Sequence, residues 1–162
     1  MSTTRAWFPP KPRNHRLPIE TYSRPDIVWF FTITCYKRLK PFIRKELNQM
    51  VIDEMQSIRT GCRCEIFVYC LMPDHLHYLI KPREQDASVL VFHDRFKGRT
   101  TNLSWNYGWN GKLWQPRSFD HGLRREEQFN DVAAYILENP VRSNLVKRIE
   151  DWPWSGVMDE WM

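Results

Sequence analysis

Residues 64–81 run CEIFVYCLM, then PD, then HLHYLIK, and their reading decides the fold. The two outer runs are rich in β-branched and aromatic side chains, and Pro73-Asp74 between them has turn chemistry. The stretch therefore predicts strands over 64–72 and 75–81 joined as a hairpin. Upstream, IVWFFTITCY at 27–36 has almost no polar interruption, which suits an inner strand covered on both faces. Between that strand and the hairpin, Leu47, Met50, Val51, Met55 and Ile58 recur at helical spacing, with Gly61 as a stop. Downstream, Ser88 can cap a helix that turns Val89, Phe92, Phe96 and Leu103 inward, and Lys112 to His121 reads as a fourth strand. The order is strand, helix, strand, strand, helix, strand, which predicts an α+β fold with a ferredoxin-like βαββαβ antiparallel sheet. One element is left over. Phe129, Val132, Ala133, Ile136 and Leu137 mark an additional helix over 126–139, closed by Pro140. The two crossover helices cover one sheet face, so the opposite face is free for this helix, a ligand or another subunit.

A chain of 162 residues, 42% hydrophobic, is long enough for one core and too short for two ordinary domains. No apolar run approaches the roughly 20 residues a membrane-spanning helix needs, and Met1 to Trp7 lacks the apolar stretch of a secretory signal, so the expected compartment is the cytosol with no membrane contact. Cys35, Cys62, Cys64 and Cys70 then read as reduced thiols. The net charge of +5 favours a polyanionic partner, and the excess concentrates in residues 1–26, where Arg5, Lys11, Arg13, Arg16 and Arg24 lie among five prolines. That segment reads as a basic, extended arm, either a solvated terminus or a device for holding the polyanion. The folded domain is expected over 27–146. A tryptophan-rich tail, 147–162, follows, with Trp152 and Trp154 flanking Pro153 and pinning it to the core.

Two elements carry chemistry. His75 and His77 are two apart in a strand, so both imidazoles project from one face while Leu76, Tyr78 and Ile80 project from the other. They are half of a metal site, or simply a pair of strand histidines. A third alternating histidine would have to stand at position 79, which is Leu79, and Cys62-x-Cys64 places two thiols along a strand rather than in a chelating turn. On the last helix, Tyr135 and Asn139 lie off the apolar stripe and toward the same side, a placement that also fits a merely exposed tyrosine, and Asn139, just before Pro140, is disfavoured in helical geometry. Two imidazole nitrogens and an amide oxygen leave open positions on a divalent cation, which can polarise a phosphate oxygen while a nearby phenol attacks phosphorus. The product is a phosphotyrosine ester. It keeps the bond energy, so strands can be rejoined without a nucleotide cofactor.

Met72-Pro73-Asp74-His75-Leu76-His77, Leu113-Trp114-Gln115, Asp120-His121, Tyr135-Ile136-Leu137-Glu138-Asn139-Pro140-Val141-Arg142 and Trp152-Pro153-Trp154-Ser155 occur in that order. Together they resemble the REP-associated tyrosine transposases of bacteria, single-tyrosine HUH endonucleases of the IS200-like group. The resemblance implies a metal-dependent enzyme, monomer or homodimer, that cuts and joins single-stranded DNA at hairpins formed by repetitive extragenic palindromes. By matching position it makes Tyr135 the nucleophile and His75, His77 and Asn139 the ligands of Mg²⁺ or Mn²⁺. It also makes Arg13, Arg16, Arg95, Lys97, Arg99 and Arg142 candidate phosphate contacts. Asp74 departs from the Asn many relatives show there, and Asn144 from their Gly. Two other readings compete: a domesticated transposase that binds hairpins without cutting, and an RNA-recognition-like binder, whose signature sheet aromatics are absent here.

Overall fold

The computed structural model describes residues 6–13, 15–125 and 127–161. Arg5 of the arm and Glu126, within the predicted last helix, lie outside them. Five strands form one sheet: β1 (Trp29–Thr34), β2 (Cys64–Met72), β3 (His75–Pro82), β4 (Phe119–Gly122) and β5 (Ser155–Val157). Their order is β4-β1-β3-β2-β5, with every neighbouring pair antiparallel. The first four strands have the predicted ferredoxin-like arrangement, and β5 extends it along the free edge of β2.

Helices α1 (Lys45–Gly61) and α2 (Val89–Ser104) cover one face. Trp29, Phe31, Ile33, Leu76, Tyr78 and Ile80 point into that layer, against Met55, Phe92 and Phe96. Ser88 caps α2, its hydroxyl accepting from the Leu90 N–H. Helix α3 (Phe129–Leu137) packs on the other face, where Val132 and Ile136 meet Phe30, Phe67, Val68, Cys70 and Leu79. Both faces of β1 are thus covered, as its composition requires.

A bulge in β2 makes the second layer consistent. Ile66 pairs with Ile80 on the α1/α2 side, but the register shifts at Phe67 so that Val68 opposes Leu79, Cys70 opposes His77 and Met72 opposes His75. The extra residue turns the rest of β2 to match the histidine face.

Three elements differ from the sequence expectation. The first strand loses its outer residues and spans only Trp29–Thr34. The strand expected over 112–121 forms a ladder only at Phe119–Gly122, preceded by one bridge between Trp114 and Cys35. Pro116 has no N–H to give, and the Gln115 and Pro116 carbonyls accept from Lys97 Nζ at 2.7 and 3.2 Å instead of from a neighbouring strand. Pro140, expected to close the last helix, instead lies in the first turn of α4 (Asn139–Arg142), which continues the spiral after a joint at Glu138. Proline is tolerated in a first turn, where its missing N–H has no partner to lose.

Segments near both ends of the described chain are fastened to the sheet. Tyr22 is fully buried, stacked on Trp29 at 4.5 Å, with its hydroxyl 3.2 Å from the Asp120 carboxylate, while Trp7 packs in the α3 layer. The arm therefore reaches both faces. In the tail, the Leu71 N–H donates to the Trp154 carbonyl, Trp152 Nε1 donates to the Leu71 carbonyl, and Trp161 stacks on Phe129 at 4.2 Å. Asn144 adopts φ 60°, a left-handed conformation asparagine accepts more readily than most residues. No helix among the described residues is long and apolar enough to cross a membrane.

Candidate active site

The unbroken alternation of β3 puts His75 and His77 on the face that α3 covers, their rings 4.6 Å apart. Each ring is held from behind. Asp74 Oδ1 lies 2.7 Å from His75 Nδ1, and Thr32 Oγ1, on the paired strand β1, lies 2.8 Å from His77 Nδ1. The Asp74 carboxyl is partly buried, which raises its proton affinity, but His75 and Arg38 outweigh this and hold it below the usual carboxylate range. As an anion it only accepts, so His75 Nδ1 carries the proton and Nε2 presents a lone pair. Burial depresses the proton affinity of both imidazoles. Arg38 adds to the effect at His75, where Asp74 opposes it, and His75 and Arg142 add to it at His77, which falls well below the ordinary histidine value. Both rings are neutral near pH 7, the form that binds a metal.

Helix α4 brings the third donor. The Asn139 amide, nearly buried, is 3.3 Å from His75 Nε2, with its other end 3.3 Å from the Ser143 hydroxyl. Rotating the amide by 180° would turn its oxygen toward the histidines; the Ser143 hydroxyl can follow, accepting where it now donates, while the bond from the amide nitrogen to the His75 Nε2 lone pair is given up unless a cation takes that lone pair and the oxygen together. Two nitrogens and one oxygen, with no carboxylate in the inner set, suit a divalent cation with open positions. Among the described residues no group of three His, Cys, Asp or Glu side chains forms a fuller cage, and Cys62 and Cys64 belong to the opposite core layer.

Tyr135 lies one helical turn before Asn139, half-buried, with its ring 6.1 Å from that of His77. The Arg142 guanidinium sits 4.1 Å above the Tyr135 ring and donates from Nη2 to the Tyr135 carbonyl at 2.9 Å. The structure thus gathers His75, His77, Asn139, Tyr135 and Arg142. Arg13 and Arg16 lie further off, in a cleft of about 520 Å³ at the β4 edge, paired with Asp120 and Asp94. Arg95, Lys97 and Arg99 are on α2, in the opposite layer. There Arg99 is 2.6 Å from Glu54 and Arg95 contacts Cys62 Sγ at 3.4 Å. Of the tryptophans near loops, Trp114 is core, donating to Thr100 Oγ1, while Trp105 is half exposed. Thr32 escapes the sequence reading because its contact depends on which residue of β1 pairs with His77; Asp74, next to His75 in the chain, is visible in the sequence, and the structure has it brace the ring.

Residues 28–139, more than two thirds of the chain, match the family described as IS200-like transposase. The chain belongs to the IS200-like transposase family. The matched span includes both histidines, Tyr135 and Asn139. Among its relatives, the REP-associated tyrosine transposase of Escherichia coli (strain K12) is 27% identical over 127 residues, which are 78% of this chain and 74% of that protein. A solved structure of a REP-associated tyrosine transposase bound to a REP hairpin superposes with a TM-score of 0.74 at 24% identity, over 88% of this chain and 81% of the other. That likeness establishes a shared fold.

Proposed function

We propose that this chain is a metal-dependent single-strand DNA endonuclease and strand transferase of the transposase type, acting at hairpins formed by REP-like palindromes. The observation that carries the reading is the convergence of two neutral, braced imidazoles, the Asn139 amide and the Tyr135 phenol on one sheet face. His75, His77 and Asn139 would hold Mg²⁺ or Mn²⁺, which supplies polarisation of the scissile phosphate. Tyr135 Oη loses its proton and attacks phosphorus in line. A Tyr–O–P bond forms, the P–O3′ bond breaks, and the departing 3′ oxygen takes up a proton. The enzyme is left joined to the DNA 5′ phosphate, and attack by a second 3′ hydroxyl reverses the sequence on a new strand.

Arg142, above the nucleophile, and Arg13 and Arg16, in the β4 cleft, are proposed phosphate contacts. Arg95, Lys97 and Arg99 would meet only DNA that bends round the sheet, and the existing engagements of Lys97 and Arg99 make their share smaller.

The test is to incubate the protein with hairpin-bearing single-stranded DNA and Mg²⁺ or Mn²⁺ and look for a denaturant-resistant adduct. EDTA should remove it and added metal restore it. Hairpin binding with no adduct under any metal would favour a binder that does not cut. Asp74 offers a separate check. Asp74→Ala should weaken Mn²⁺ binding about 10- to 100-fold by freeing the His75 ring, whereas Asp74→Asn, which still accepts from Nδ1, should retain most of it. Calorimetric titration without DNA reads this directly, and equal affinity in Asp74→Ala would remove the bracing role.

A further inference from the structure

The basic arm does more than carry charge, because its first described residues pack on the nucleophile. Trp7 meets the Tyr135 ring edge-on at 5.3 Å and Phe30 at 5.2 Å, and Phe8 approaches Tyr135 at 6.2 Å. With Arg142 at 4.1 Å, Phe30 at 6.2 Å and His77 at 6.1 Å, the phenol ring is bounded by five side chains, two of them from a segment more than a hundred residues away.

The Trp7 indole is itself anchored. Its Nε1 donates to Glu127 Oε2 at 2.6 Å, and Glu127 Oε1 accepts from the Arg124 N–H at 2.8 Å and lies 2.7 Å from His121 Nε2. Partial burial works against charge on Glu127, yet the Arg124 amide, the Trp7 indole and His121 hold its carboxyl below the usual range. His121 belongs to β4, which pairs with β1 opposite Phe30. A continuous chain of contacts therefore runs from the sheet through His121, Glu127 and Trp7 to Tyr135. The contact is a wall rather than a plug: a cavity of about 300 Å³ stays open between Trp7, Phe8, Tyr135, Glu138 and Arg142.

We infer that Trp7, fixed by Glu127, is a positioning residue for the reaction, holding the Tyr135 ring in the orientation from which its oxygen can attack phosphorus. Helix α3 alone leaves the ring free to swing about its side-chain bonds. Packing on two edges and one face removes that freedom before DNA arrives, and small misplacements of a reacting atom cost about 100-fold in rate. The inference rests on the endonuclease reading above.

The experiment compares wild type, Trp7→Ala and Trp7→Phe. Single-turnover adduct formation at saturating hairpin DNA is measured beside hairpin affinity and the ¹⁹F spectrum of 3-fluorotyrosine placed at position 135. Trp7→Ala should slow adduct formation about 10- to 100-fold with affinity within twofold. Trp7→Phe, which keeps a ring edge against the phenol, should recover most of the rate. Without DNA, the ¹⁹F line should shift and sharpen in Trp7→Ala. An unchanged rate in Trp7→Ala overturns the inference, and a faster one makes the arm an inhibitory cover. A loss of affinity with full rate at saturation makes Trp7 a DNA contact only. If wild type itself forms no adduct, the endonuclease reading fails, and the ¹⁹F comparison still reports whether Trp7 orders the ring.

Discussion

Tyr135→Phe is expected to lower adduct formation and strand cleavage by more than about 10³-fold while hairpin affinity stays within about twofold. The substitution removes one oxygen and leaves the ring, so the contacts with Trp7, Phe30 and Arg142 survive and the fold has no reason to respond. Tyr135 Oη forms none of the described hydrogen bonds, so its loss orphans no partner. A rate loss with intact thermal stability identifies the attacking atom; cleavage at the wild-type rate would mean that another group attacks. The contrast with His77→Ala is instructive. That variant also loses cleavage, but it empties space beside Phe30 and leaves Thr32 without its ring partner, so some loss of stability accompanies it.

The second large effect concerns stability in acid. His93 is fully buried in the α1/α2 layer, with Nδ1 2.9 Å from the Tyr78 hydroxyl and Nε2 2.8 Å from the Ser118 hydroxyl. Burial first, then Lys97 and Arg16, depress its proton affinity from 6.5 to about 3. The native state keeps this ring neutral, whereas the unfolded chain takes up a proton as pH falls below 6.5. The unfolded state therefore binds more protons throughout that window, and stability falls as pH falls. The loss from His93 alone is about 1.4 kcal/mol for each pH unit, or on the order of 3 kcal/mol by pH 4. Metal-free His75 and His77, depressed in the same direction, add to it. Urea unfolding from pH 7.5 to 4 should show the slope. In His93→Gln the protein should be weaker at pH 7.5, where the two hydroxyls lose a matched partner, yet flatter in its pH dependence. A slope unaltered by that substitution would show that His93 is not the buried neutral group.

Local pattern carried much of this molecule. The hairpin at 64–82 is legible because alternation and a Pro-Asp corner act within a few residues, and Tyr135 and Asn139 fall together because the backbone between them, through the joint at Glu138, stays close to one helical turn. What stayed hidden is long-range. Thr32 reaches His77 across 45 positions, and Trp7 reaches Glu127 across 120. Those contacts depend on strand pairing and on the path of an arm whose prolines and charges suggest only extension. The fourth strand is shorter than its composition suggests for a related reason: Lys97, on another element, takes the carbonyls that the composition of 112–121 offers to a ladder. The β2 bulge is invisible too, since Phe67 suits a strand equally well with or without it.

Tyr135 on α3 and Asn139 on α4 stand four residues apart, on either side of the joint at Glu138. On the proposed reading, the attacking oxygen and one leg of the ion's tripod thus sit on adjoining pieces of the chain rather than on one rigid piece. Bending at that joint to let a joined strand depart would swing the phenol while leaving the ion seated, so turnover and ion occupancy would be separable.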